Sequence, residues 1–261
     1  WTLDGCAGTN HPSAPPTAND DVVICSGKTA QVTDTSAVAR TVTNNGTAIE
    51  VTPPSSTQDA TLTLGSGSTN LSSYMGTTKL MNAGSGSSHK ATLALVSITH
   101  TFESGTVRGF ADLAEINIAA SIALINKDSI RGQLTITSGS GGNFDNQGTV
   151  WGDVSGGTIL IKPYELTDND LANWSTINGG KLKFDSSINT VNSLEGNFFM
   201  LAGSGVNEIQ INKAITTSGL LSLDNGNLKV NENFTAGSSG HPLDFHGGTI
   251  DVAAGKLFTH Y

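Results

Sequence analysis

One phrase recurs through the C-terminal part of this chain and limits what it can fold into. It reads Gly179-Gly180-Lys181-Leu182-Lys183-Phe184, then Glu208-Ile209-Gln210-Ile211, then Gly226-Asn227-Leu228-Lys229-Val230, then Gly247-Gly248-Thr249-Ile250-Asp251-Val252. Each copy is a turn signal followed by apolar and polar residues in alternation. The centres at Leu182, Ile209, Leu228 and Ile250 stand 27, 19 and 22 positions apart. Upstream, Leu134, Ile159 and Leu182 are spaced by 25 and 23. Alternation of period two is the pattern of a strand with one buried side. A unit of twenty-odd residues cannot bury that side alone, so successive units must stack, as in a solenoid.

Between these centres lie Thr149-Val150-Trp151-Gly152, Thr190-Val191-Asn192 and Leu220-Leu221-Ser222-Leu223, which suit second strands of the same coils. The N-terminal half carries shorter Thr/Val-rich segments, from Thr29-Ala30-Gln31-Val32-Thr33 to Ala60-Thr61-Leu62-Thr63-Leu64, and the clear strand Ala91–Ile98. Residues 110–127 mix helical and strand spacing. Glu115-Ile116-Asn117-Ile118 favours strands there, whereas Ala119-Ala120 favours a helix. Glu165–Trp174 breaks the pattern, and Thr167 followed by Asp170 resembles a helix cap, so a short excursion from the body is expected. The expected fold is all-β: a right-handed parallel β-helix with residues 1–25 as an N-terminal cap and 26–261 as one continuous body. A β-sandwich array is the alternative, and Asn44-Asn45-Gly46 and Asp224-Asn225-Gly226 would serve it as hairpin turns.

Composition narrows the function. Only 13% of the 261 residues are charged, and the net charge is −9 with a pI near 4.9. That balance opposes a nucleic-acid partner, which needs a basic face, and also opposes binding to anionic lipid. No apolar run nears the roughly 20 residues of a membrane helix, so no membrane insertion by this chain is expected. The sequence opens at Trp1 on polar residues, as an exported chain does once its signal is removed. Cys6 and Cys25 are the only cysteines and flank the Pro-rich stretch His11–Pro16. A bridge between them would close a loop of about 20 residues, worth on the order of 3 kcal/mol. The alternative is two free thiols.

Phrases such as Gly247-Gly248-Thr249-Ile250-Asp251-Val252-Ala253-Ala254-Gly255-Lys256-Leu257, with echoes at Gly156–Ile161 and Gly179–Phe184, resemble the passenger domain of type V secreted bacterial proteins, the autotransporter and two-partner adhesins. The resemblance covers the second half well and the first half by composition alone. It implies a bacterial cell-surface, extracellular adhesin that mediates self-association (aggregation, biofilm) or attachment to a host surface or glycan. No membrane-strand alternation precedes Tyr261, so a translocator barrel is not expected within this sequence.

Motifs for chemistry are few. No phosphate loop, Ser nucleophile elbow or paired-Cys metal motif occurs, and no cofactor is expected. His241, Asp244 and His246 form the one cluster that could ligate a metal, since Asp244 and His246 would share a strand side. Asp168 and Asp170 are the candidate carboxylate pair of an alternative function, a carbohydrate-active β-helix enzyme (polysaccharide lyase or hydrolase). Basic partners for such a site are scattered: Arg108, Arg131 and Lys162. Trp151, Tyr164 and Trp174 flank the same stretch and could stack on sugar rings.

Overall fold

The computed structural model describes residues 15–35, 37–54, 58–65, 72–75 (backbone), 77–81, 88–192, 194–238, 240–241 and 243–261. Among them every regular element is a strand, and the strands stack in parallel as a β-solenoid of about nine turns. The loop stretches around residues 66–70 and 84–87, the first fourteen residues of the expected cap, and Cys6 lie outside the described residues.

Each turn contributes strand to three sides. The first side is an eight-stranded sheet running from Asp21–Ile24 and Thr41–Asn44 through Ala123–Asn126 and Asn143–Asn146 to Thr190–Val191. Beyond an isolated bridge between Leu194 and Thr217, the three-stranded sheet of Ile215–Thr216, Phe234–Ala236 and Phe258–His260 continues the stack. The other two sides are one continuous sheet. Two long strands, Thr106–Ile118 and Ser129–Ser138, run through the corner between them without a break. Gly132 permits this bend: its φ is +93°, and a Cβ there would collide with the carbonyl of Gly109.

Every pairing between the strands is parallel. A β-sandwich needs antiparallel partners, so that alternative is excluded. The core is a set of ladders in which identical inward positions stack. On the second side Ile49, Thr78, Val107, Ile130, Val150, Trp174 and Phe198 follow one another. On the third side the ladder is Leu62, Leu93, Ile116, Ile136, Ile161, Phe184 and Ile211. Among all of these Thr78 is the one polar residue, and all of them are buried. Parallel strands pack at roughly 4.8 Å, so like side chains in one column meet in continuous contact.

The repeated phrase corresponds to a corner turn followed by a third-side strand. In Val154–Gly157 and Ile177–Gly180 the last N–H returns to the first carbonyl at 2.8 and 3.0 Å. Gly156 and Gly179 take positive φ in these turns, which is why Gly-Gly marks them.

Two expectations resolve here. Within residues 110–127 the regular structure is strand, Thr106–Ile118 being joined by a short turn to Ala123–Asn126. The expected excursion at Glu165–Trp174 does not exist. Glu165–Asp168 and Asn173–Thr176 continue the stack in register, joined by a short turn that leaves Leu171 68% exposed. Thr167 does not cap a helix; its hydroxyl accepts from the Asn143 amide of the preceding turn at 3.1 Å. Burial of Leu166 beside Phe144 outweighs the local cap pattern. Residues 21–24, placed with the cap by sequence, already form the first rung of the stack.

Candidate functional surface

Three turns carry the same short phrase on the second side: Thr106-Val107-Arg108-Gly109, Ser129-Ile130-Arg131-Gly132 and Thr149-Val150-Trp151-Gly152. Val107, Ile130 and Val150 point inward. The next residue in each phrase therefore points outward, and register places Arg108, Arg131 and Trp151 on consecutive rungs. Lys79 precedes them in the same row, beside Arg108, and Glu50 precedes Lys79.

The row is organised by one carboxylate. Asp153, directly after the third phrase, has a side chain only 5% exposed that receives both guanidinium groups. Arg131 donates Nε and Nη2 to its Oδ2 at 3.1 and 2.6 Å. Arg108 lies 3.2 Å from that oxygen through Nη1. The Arg131 guanidinium sits 4.8 Å from the Trp151 ring centre, and that of Arg108 sits 5.4 Å from the ring of Phe110. Lys79 is neutralised by Glu50 at 2.9 Å. Two guanidiniums share a single carboxylate, so the cluster keeps one positive charge within a chain of net charge −9. About a third of each Arg side chain remains exposed. The Nε of Arg108 and Nε1 of Trp151 are buried with no hydrogen-bond partner among the described residues. In the sequence these arginines are scattered. The signal that unites them is the recurrence of the Thr/Ser–β-branched–x–Gly phrase at turn spacing.

The sequence-predicted residues are distributed differently. Asp168 faces inward on the first side, in a column with Asn126 and Asn146. Its Oδ2 accepts from Trp174 Nε1 at 2.7 Å, and its Oδ1 accepts from the N–H groups of Glu195 and Gly196 at 2.6 and 3.2 Å. Burial pushes its carboxyl up to about 6, against the pull of these donors. Asp170 stands in the exposed turn that follows. Trp174 is wholly buried, with ring centres at 5.1 Å from Phe184 and 6.3 Å from Phe198. It therefore cannot stack on a sugar. Trp151 is outward on the second side, while Tyr164 lies at the junction of the third and first sides. The three aromatics do not share a surface.

Of the candidate metal cluster, His246 bridges Asp224 (Nδ1, 3.0 Å) and Asp244 (Nε2, 3.3 Å), and the first of these contacts leads in raising its basicity. His241 turns instead to the carbonyl of Ser218 at 3.1 Å. Among the described residues no group of three or more His, Cys, Asp or Glu side chains could hold a metal ion. Cys25 follows the first strand and is not a free thiol.

No protein-family model matches the chain, and neither a curated protein nor a solved structure matches it.

Proposed function

We propose that this chain is an exported, bacterial cell-surface adhesin of the type V passenger kind, acting through the sides of its solenoid. The observation that supports the reading most is the repetition of outward threonines in register on successive turns. Thr61 lies over Thr92, and Thr216, Thr235 and Thr259 form one column. Rows of hydroxyl and amide groups on a stiff rod favour many weak contacts over a single pocket. Each hydrogen bond contributes roughly 0.5–1.5 kcal/mol, so affinity comes from contact length. Self-association along a side and attachment to a surface glycan both use such rows.

The enzyme reading loses its carboxylate pair. Both oxygens of Asp168 are taken by donors inside the fold, so only Asp170 faces solvent.

The test is molar mass against concentration by light scattering, together with clumping of cells that display the chain. A mass that climbs with concentration and visible clumping are the expected results. A monomer at every concentration, displayed on cells that neither clump nor adhere to any surface, would overturn the proposal.

A further inference from the structure

We infer that the outward row Lys79–Arg108–Arg131–Trp151 is a binding strip for anionic polysaccharide, one whose sugar units carry carboxylate or sulfate groups. The inference rests on the adhesin reading above and names its ligand class. Its geometry is independent of that reading. The two arginines are held one rung apart, about 4.8 Å, by the parallel register. Asp153 beneath them fixes both guanidinium planes while neutralising only one charge. About a third of each Arg side chain is exposed beyond Asp153, while the Nε of Arg108 is buried. Fixed guanidiniums suit planar oxyanions, because little side-chain entropy remains to be lost on binding. The rings of Trp151 and Phe110 border the charges, and Phe110 is 43% exposed. A sugar ring has an apolar face and a polar edge, which matches a strip of aromatic surface beside cations. A linear polyanion also fits the direction of the row, since charges repeat along the solenoid axis. One uncompensated cation held between neighbouring rungs of an acidic protein presents a local positive site within a negative field.

The test uses the purified chain and three immobilised polymers: polygalacturonate, dextran sulfate and unmodified dextran. Binding to one or both acidic polymers, weakened by added salt, with no binding to dextran, is expected. The two acidic polymers separate a carboxylate from a sulfate preference. Removing the arginines alone would leave Asp153 buried and unpaired, so the variant is R108Q/R131Q/D153N, which neutralises the whole cluster. Its affinity should fall by about ten-fold or more. K162Q changes net charge by the same amount on the third side and should bind as the parent does. As a second probe, R131K keeps the charge but loses the planar fork, and an affinity several-fold lower is expected. Equal binding by the parent and the triple variant would overturn the inference. So would an equal loss in K162Q, which would mean that overall charge alone attracts the polymer. Failure to bind either acidic polymer overturns it as well. That outcome is distinct from failure of the adhesin reading, which light scattering and cell clumping report separately.

Discussion

Trp174 donates its indole N–H to Asp168 across 2.7 Å, and this bond joins the two kinds of column packed inside the solenoid. Trp174 belongs to an aromatic stack that includes Phe144, Phe184 and Phe198. Asp168 ends a polar column in which Asn126 Nδ2 donates to Asn146 Oδ1 at 2.8 Å, both amides being fully buried. An inward carboxylate is costly unless donors surround it, and here an indole and two backbone N–H groups do so.

This arrangement predicts a pH dependence. The folded state holds the Asp168 proton up to about 6, above the ordinary value of 3.8. The folded chain therefore binds that proton more tightly than the unfolded chain. Its stabilising contribution is complete below 3.8, and it is lost as pH rises through about 6. Other carboxylates, such as Asp21 beside Arg40, have lowered values and give the opposite slope at lower pH. The informative quantity is thus the difference between parent and Asp168→Asn in urea unfolding. Between these two pH values the parent should lose on the order of 2 kcal/mol relative to the variant. A constant difference across that range would refute the assignment.

Thr78 interrupts an apolar column between Ile49 and Val107, and its buried hydroxyl has no hydrogen-bond partner among the described residues. Thr78→Val keeps the shape and removes the unpaired group. A gain of about 1 kcal/mol is expected from chemical denaturation. A loss of stability would show that the hydroxyl is bonded after all.

The two tryptophans should behave in opposite ways. Trp174→Ala removes the largest fully buried side chain among the described residues and should cost about 3–5 kcal/mol. Trp151→Ala acts on an outward ring and should cost less than about 1 kcal/mol in melting experiments. It should instead weaken binding to acidic polysaccharide. Equal destabilisation by the two changes would contradict their placement on opposite faces of the same sheet.

Gly132→Ala tests the corner that joins the second and third sides. A side chain there meets the Gly109 carbonyl at a backbone angle that L-residues avoid. A loss of roughly 2 kcal/mol or more is expected. Gly240 has open space around it, so Gly240→Ala is the matched control and should have little effect. Similar melting curves for the two variants would mean that the corner can relax.

The strands themselves were legible in the amino-acid sequence. Ile209 and Ile211, or Leu228 and Val230, alternate with polar residues, and burial of one side of a strand demands that period. The mixed segment around Ile116 was also decided by its alternation. The apparent excursion at Glu165–Trp174 was not legible, because its polar residues, the inward Asp168 among them, mask the alternation that Leu166 and Trp174 carry.

What only the tertiary structure decided is which distant residues become neighbours. Turns between strands differ in length, so the offset from one rung to the next cannot be read from spacing. Trp174 pairs with Val150, and Trp151 pairs with Ser175. A shift of one residue would exchange the buried tryptophan for the outward, half-buried one, since successive side chains point to opposite faces. Arg108, Arg131 and Asp153 are likewise drawn from three successive turns, and the hydrogen-bonded register of the stack alone sets their spacing. Composition and period determine a rod of parallel strands. The chemistry on its surface is set by the register with which each turn settles on the one before, because inward packing fixes that register and the outward residues follow it.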